Sequence, residues 1–409
     1  ITELLRDCIQ AAFDKDKIDL SSFDLIAIIH PGVGQDFKLP FLDPTPEDIP
    51  STYVDKKMVN THLGGPIQIG NASIPAGIIL PESQNHIFMD QSIYRALTNP
   101  CNVQFSVTGT WAMMIGFAVG LPPLWDLETG LSGVGVFSLM DQGSNNGNGI
   151  VPAPPDAWTR IYAGWETATT IKYPGRITIQ SGIVNRIVMV PISNNEYFLI
   201  ENRFRQSGAT YDQKLPESGI LIWHIDETQV RPSYSIDAAD QIWLEDPNDP
   251  DHQDYRNITA GAAFSTNDNE ISFTPSTTPN SNTEDGLTTG ISVTNISREG
   301  QIMTIDVWFG DTYEPNNNLP SAHIFVFNQP YVSFISTAID VDFYRLDITE
   351  PNFTIIELSN IPDNLDYQLS LQNQEGLEVK KGDRTGNTCL LYTSPSPRAA
   401  TLSRMPSYA

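Results

Sequence analysis

The sequence predicts an α+β domain, then an antiparallel β domain, then a shorter strand-rich unit. Three observations predict this order. In residues 1–166, two short β-branched runs precede an apolar helical stretch at 103–120. In residues 167–310, short alternating runs are separated by Gly, Asn and Ser and predict antiparallel strands at 186–191, 196–201, 219–225, 291–296 and 303–309. A break at Gly310–Asp311 opens a further strand-rich segment that ends near Gly382.

Composition and charge narrow the class of protein. Of 409 residues, 40% are hydrophobic and 10% aromatic, which is typical of a globular chain with two or three domains. A formal net charge of −26 argues against nucleic acid and against an anionic membrane surface as partners. The acidic excess fits an exported protein and leaves oxygen donors for calcium, although it also fits a purely solubilising role.

Cysteine usage and the chain ends say little about location. Cys8, Cys101 and Cys389 match neither a disulfide framework nor a zinc site. No apolar run approaches the ~18 residues of a membrane span. The chain opens at Ile1 inside a helix-like pattern, so we expect a truncated N-terminus that has lost any targeting segment.

In the first domain, the strands and the helix have clear sequence signals. The run Phe23–Ile29 reads as a buried strand, because it is β-branched and ends at a Pro-Gly turn. Gly77–Glu82 is the second strand candidate. The helical stretch Val103–Val119 is apolar on nearly every side, and Gly120 and Pro122 end it. We therefore expect a helix that is buried on most sides.

Three segments in this region carry a resemblance to a known family. They are Met113–Asp126, Gly133–Met140 and Trp158–Trp165. This framework resembles the immune inhibitor A family of secreted zinc metallopeptidases, which are metzincin-like. In that family the helix reads His-Glu-x-x-His-x-x-Gly-Leu-Pro-Asp, and a turn with Met lies under the zinc. The resemblance implies a metzincin-like peptidase domain over 1–166 and an extracellular protein.

The resemblance extends through the predicted β domain at 167–310. It includes the segments Phe23–Asp36, Tyr197–Arg203, Gly219–Glu227, Thr278–Ser281 and Thr289–Val293, which occur in family order. Because these segments span most of the chain from Phe23 to Phe309, chance agreement at a single motif does not explain them.

At the functional positions this chain departs from the family. The resemblance places the two helix ligands at Met113 and Phe117, the general base at Met114 and the third ligand at Pro123. Zinc needs imidazole, thiolate or carboxylate donors, and none of these residues has one. We therefore expect no zinc and no catalytic residue here, although the turn residue Met140 is kept.

Other Met and His residues are possible metal ligands, but each also has a structural explanation. A pair of methionines is a possible Cu(I) site, although Met on an apolar helix is ordinarily core filler. His30, His62 and His86 could form a replacement site, but their spacing fits no ligand pattern. His224 lies in a predicted strand and reads as a hydrogen-bonded structural residue.

The acidic stretch at 246–251 is a candidate calcium site. Its oxygen donors are Asp246, Asn248, Asp249 and Asp251. The stretch lacks the regular spacing and the glycine of an EF-hand, so a solvated acidic loop is the alternative.

The C-terminal unit, 311–382, resembles the pre-peptidase C-terminal domain of secreted bacterial proteases. The resemblance rests on Asp311–Asn317, Asp340–Leu346 and Leu365–Leu371, and it implies a β-sandwich and export. Residues 383–409 form an expected unstructured tail. From about 388 this tail resembles translated sequencing-adapter sequence, so we expect it to take no part in the fold.

Three functions remain open at this point. The first is a pseudopeptidase, an exported homologue that has lost catalysis and binds a protein or peptide outside the cell or at its surface. The alternative is an active secreted metalloendopeptidase with non-standard metal ligands. The third is a structural surface protein with an adhesive β module. The sequence does not indicate the oligomeric state.

Overall fold

The computed structural model describes most of the chain, and the strands dominate it. The described residues are 1–36, 47–84, 105–125, 130, 132–182, 186–205, 211–228, 242–245, 261–266, 272–310, 313, 316–331, 333, 341–348, 353–359, 361, 367–385, 388–392 and 400–406, with the backbone alone for 383–385 and 400–406. They form a mixed α/β protein with several sheets, and none of the described sheets closes into a barrel. No described helix is long and apolar enough to cross a membrane.

The described part of the chain has four α-helices and 21 strands. The helices are α1 (Thr2–Asp16), α2 (Lys56–Leu63), α3 (Thr108–Ala118) and α4 (Ala157–Tyr162). The strands are β1 (Ala27–Val33), β2 (Thr52–Val54), β3 (Ile67–Ile69), β4 (Ala72–Ile74), β5 (Gly77–Ser83), β6 (Ala168–Thr170), β7 (Gly175–Gln180), β8 (Ile187–Pro191), β9 (Glu196–Arg203), β10 (Gly219–Asp226), β11 (Ile242–Leu244), β12 (Ile291–Thr294), β13 (Ile302–Phe309), β14 (His323–Ile324), β15 (Asp342–Leu346), β16 (Ile355–Leu358), β17 (Tyr367–Asn373), β18 (Glu378–Lys381), β19 (Asp383–Thr385), β20 (Thr388–Tyr392) and β21 (Ala400–Pro406).

The chain divides into two compact units. The first contains 1–170, 178–270 and 297–303, and the second contains 171–177, 271–296 and 304–409. The domain limits that the sequence suggested at 166/167, 310/311 and 382/383 stay predictions.

A small sheet in the first unit contains both strands that the sequence predicted before α3. Its order is β1–β5–β2, with β1 parallel and β2 antiparallel to β5. Strand β1 begins at Ala27 rather than at Phe23, and it is not the buried strand that we expected, because Ile29 is 59% exposed. Residues Leu20–Ser22 form a 3₁₀ turn capped by Asp19, and Phe23 is 58% exposed after it. The apolar residues Leu5 and Ile9 of α1 pack in the core beside this sheet.

Helix α3 ends as the sequence predicts. Gly120 has a positive φ of 94°, which favours glycine, and the Leu121 N–H donates to Gly116 O at 2.9 Å. These features close the helix as a Schellman motif. The helix is less enclosed than expected, because Ile115 is 44% exposed and Val119 61%.

A larger sheet of the first unit has the order β11–β10–β9–β8–β6. Its central pair, β9 and β10, is antiparallel over eight residues, from Gly219 opposite Arg203 to Asp226 opposite Glu196. Every residue of β10 is buried. The antiparallel structure predicted from 186 to 225 is therefore confirmed, apart from the parallel contact of β6 with β8.

The second unit contains two further sheets that share one hydrophobic cluster. Their orders are β14–β15–β21–β17–β18 and β16–β20–β19. The cluster includes Tyr344, Leu346, Leu369, Leu371 and Leu391. Strands β12 and β13 pair antiparallel as predicted.

The segment from 383 onward differs from the unstructured tail that we expected. It contains β19, β20 and β21, and β21 pairs with both β15 and β17. The alternation in Thr388–Tyr392 explains β20, because Cys389 and Leu391 are both buried and their neighbours are not.

The fold makes a sharp prediction at Gly109, in the first turn of α3. A Cβ there would lie 1.7 Å from the Ser144 carbonyl oxygen, which is backbone and cannot turn aside as a side chain could. We expect Gly109→Ala to lower the free energy of unfolding by about 3 kcal/mol in urea titrations. The control is Gly175→Ala, which meets nothing within 4 Å and should change it by less than about 0.5 kcal/mol. Equal effects would contradict the packing described here.

Candidate functional site

Three of the four positions that the resemblance assigns to zinc chemistry lie on α3, at two hydrophobic clusters, and the fourth, Pro123, follows the helix. Met114 is 6% exposed and packs with Ile78 and Leu80 of β5. Met113 and Phe117 are half-buried and contact both that cluster and the larger core of the first unit. The helix face that would hold a metal is thus an apolar packing surface.

Aromatic rings surround the second of these ligand positions. The ring of Phe117 stacks with that of Tyr53 at 6.5 Å between centroids and meets Trp125 edge-on at 5.7 Å. Pro123, at the third ligand position, is half-buried. The side chains of Phe117 and Pro123 have no nitrogen or oxygen atom that could bind a metal. The polar groups of the neighbouring rings are the Tyr53 hydroxyl and the Trp125 N–H, and the latter can only donate a hydrogen bond.

Met140 lies directly against α3 at Gly116, which is about one helical turn after Met113. A Cβ built at Gly116 would be 2.7 Å from Met140 Sδ, so the absence of a side chain at Gly116 is what lets the two segments meet. Met140 is fully buried. The Leu124 N–H donates to Met140 O at 3.0 Å, which ties the segment after α3 to the same turn.

The turn beneath α3 is organised by Asp141, a residue that sequence reasoning did not single out. Its Oδ2 accepts hydrogen bonds from Ser132 Oγ at 2.7 Å and from the N–H groups of Gly133, Val134 and Gly135 at 3.0, 2.8 and 2.9 Å. Burial raises the pKa of Asp141 to about 6, against the opposing effect of these hydrogen bonds. The signal was an Asp directly after the Met of a Gly-rich turn.

A second carboxylate joins this turn to α4. Asp156 accepts from Ser138 Oγ at 2.6 Å and caps α4 by accepting from the Thr159 N–H at 2.8 Å. Asp156 is fully buried. Its two oxygen atoms therefore hold the turn and the helix in one arrangement.

A buried ion network connects α4 to β9. Arg160 bonds Glu166 at 3.0 Å and Glu201 at 2.8 Å, and Arg203 bonds Asp212 at 2.7 Å. Trp223 Nε1 also donates to Glu201 at 3.0 Å. Burial alone would raise the pKa of Glu201, but Arg160 and Arg203 lower it below the ordinary value. Glu201 is thus held ionised in the core. Residue patterns along the chain did not predict this network.

Near the start of α3, the polar groups bond one another. Gln84, at the end of β5, donates to Thr110 Oγ1 at 2.7 Å and to Asp36 Oδ2 at 2.8 Å. Asp36 also accepts from the Ser51 N–H at 2.7 Å and from Ser51 Oγ at 2.6 Å. These bonds fasten α3 to the small sheet.

The structure does not bring the candidate histidines together at α3. His30 lies in β1, with Nε2 3.2 Å from Ile49 O, and His62 is exposed on α2. His86 and the calcium candidates Asp246, Asn248, Asp249 and Asp251 lie outside the described residues. Within the described ranges, no three His, Cys, Asp or Glu side chains are grouped so that they could hold a metal ion.

His224 is hydrogen-bonded and buried in β10, so the structural interpretation is confirmed. Nε2 lies 2.9 Å from Glu196 Oε1, and Nδ1 lies 3.1 Å from Glu245 Oε1.

Comparison with known proteins adds no relative. The chain matches no protein-family model, no curated protein and no solved structure. The resemblance to immune inhibitor A peptidases therefore rests on the motifs themselves.

The ion network makes a quantitative prediction about what holds α4 and β9 in place. Arg203→Met leaves Glu201 and Asp212 with fewer positive partners in the core, so the free energy of unfolding should fall by about 3–5 kcal/mol. The matched change is Arg345→Met, whose partner is the exposed Asp347, and it should cost about 1 kcal/mol or less. Urea unfolding measures both. Similar losses for the two variants would show that the network contributes no more than a surface pair.

Proposed function

We propose that this protein is an exported, metzincin-like peptidase homologue that binds a protein or peptide and does not hydrolyse it. The observation that carries the proposal is the set of residues at the four functional positions of the family motif: Met113, Met114, Phe117 and Pro123. All four are apolar; the first three lie on α3, which keeps its packing glycines, and Pro123 follows the helix.

Loss of chemistry follows from what these side chains can do. Zinc in peptidases is bound by imidazole and carboxylate, and a zinc-bound water needs a nearby base to remove its proton. A thioether, a phenyl ring and a pyrrolidine ring supply neither. Met114, in place of the base, is buried against Ile78 and Leu80, which leaves no room beside it for a polarised water.

Binding is the function that the remaining structure supports. The contact of Gly116 with Met140, the hydrogen bonds of Asp141 and the capping of α4 by Asp156 shape this region independently of any metal. The net charge of −26 favours a partner with positive charge. In this proposal the C-terminal unit is an accessory β-sandwich that acts outside the cell.

Zinc content and proteolysis test the proposal directly. The purified chain should contain far less than one zinc per molecule by mass spectrometry of metals, because the ligand positions have no donors. It should also leave casein uncut. Stoichiometric zinc with chelator-sensitive cleavage of casein would instead support the active metalloendopeptidase with other ligands.

Restoring the zinc-binding motif of the family tests whether these positions are now packed core positions. Substitution of His, Glu, His and Asp at 113, 114, 117 and 123 should lower stability without producing activity, because polar groups enter packed clusters. Met114→Glu alone should lower the free energy of unfolding by about 2–4 kcal/mol.

The control for this variant is Ile115→Glu. Ile115 is 44% exposed on the next position of the same helix, so the same charge should cost less than about 1 kcal/mol there. Caseinolytic activity in the fourfold variant would show that only the donors were missing, and equal losses at 114 and 115 would show that Met114 is not enclosed.

A further inference from the structure

The edge strand β11 is attached to the large sheet by a row of three rings. His224 of β10 lies directly opposite both Phe198 of β9 and Trp243 of β11. Its ring centroid is 4.4 Å from that of Phe198 and 4.3 Å from that of Trp243. Among the described residues, the backbone pairing of β11 is short: Ile242 to Leu244 lie opposite three residues of β10, and the Glu245 N–H donates to Ile222 O at 3.0 Å. The side chains therefore carry much of the attachment.

The charges around this row require a protonated ring. Both nitrogens of His224 face carboxylates, Glu196 from β9 at 2.9 Å and Glu245 after β11 at 3.1 Å. An ionised carboxylate accepts hydrogen bonds only, and a neutral imidazole has a single N–H. Both contacts are hydrogen bonds only when the ring is an imidazolium. Two aromatic faces also favour the cation.

Glu245 depends on that proton more than Glu196 does. It is 4% exposed, against 14% for Glu196, so water replaces a lost donor less readily at Glu245. Loss of the proton from His224 leaves one carboxylate facing a nitrogen lone pair inside the sheet. A buried carboxylate that loses a donor is destabilised, and the cheapest relief is to move Glu245 and β11 away.

We propose that Glu196, His224 and Glu245 form a proton-dependent latch that holds β11 on β10 and releases it when His224 loses its proton. Among the described residues, the charged side chains that bond the ring are Glu196 and Glu245, and the rings of Phe198 and Trp243 are tilted against it. Release leaves the backbone groups of Ile222 and His224, which face β11, without their partners, so the latch controls whether β10 has a free edge.

The direction of the pH effect follows from the same contacts. Burial lowers the pKa of His224, but the hydrogen bonds and charges of Glu196 and Glu245 outweigh it, so the pKa lies above its ordinary value. A histidine with a raised pKa contributes stability that is fully present below its unfolded pKa and is lost as the pH rises through the folded pKa. The latch therefore holds at acidic pH and opens towards alkaline pH.

Hydrogen exchange of the full chain tests the latch, with each rate divided by the intrinsic rate at that pH. Between pH 6 and pH 9 the protection of the Trp243 and Glu245 amides, which face β10, should fall at least about tenfold, while that of Leu221 and Trp223, which face β9, stays constant. Constant protection of Trp243 and Glu245 would overturn the proposal.

Two variants that each remove one negative charge test whether the pH effect comes from the carboxylate at His224. Glu245→Gln keeps the size of the side chain and removes one of the two charges, so the pH at which β11 loses protection should drop by at least about one unit. Glu227→Gln is the matched control, because Glu227 is on the same end of the sheet and bonds Tyr197 at 2.8 Å rather than His224. A midpoint that moves equally in both variants, or in neither, contradicts the latch.

A measurement on the unmodified chain decides the matter if Glu245→Gln does not fold. The NMR titration of the His224 ring should show an imidazolium at pH 6 that loses its proton over the pH range in which β11 loses protection. A neutral ring at pH 6 would overturn the proposal.

Discussion

The close approach of α3 to the turn that contains Met140 is the constraint on which the first unit depends. Two glycines make it possible, since a Cβ at Gly109 would collide with the backbone at Ser144 and one at Gly116 with Met140 Sδ. With the helix fixed there, Met114 fills the cluster over β5 and Met113 and Phe117 reach both clusters. The turn is held in place because Asp141 and Asp156 accept hydrogen bonds from it.

Polar and ionic groups in this unit serve the fold. Arg160, Glu201 and Arg203 are buried together between α4 and β9, and Gln84 links α3 to Asp36. Buried charges of this kind specify one arrangement more than they add stability, because their desolvation costs nearly as much as their attraction returns. The carboxylates near α3 and α4 therefore stabilise the fold, which fits a protein whose proposed role is to bind.

Much of the architecture was predictable from residue patterns. Strands β5, β9 and β10 begin at the predicted residues because apolar and β-branched runs there are bounded by Gly and polar turns. The end of α3 followed from Gly120. The strands after 383 were missed, because an unusual composition outweighed the short alternation at Thr388–Tyr392. Asp141 and the ion network were missed because their partners are distant in sequence or backbone groups.

The sequence by itself determined which atoms are available on and just after α3: sulfur, phenyl and pyrrolidine groups at 113, 114, 117 and 123, with no imidazole or carboxylate among them. That is a property of composition at fixed positions, and folding cannot change it. Only the tertiary structure decided that Met140 meets Gly116 and that both nitrogens of His224 face carboxylates. Such contacts join strands and turns far apart along the chain, and distance in space follows from packing and register.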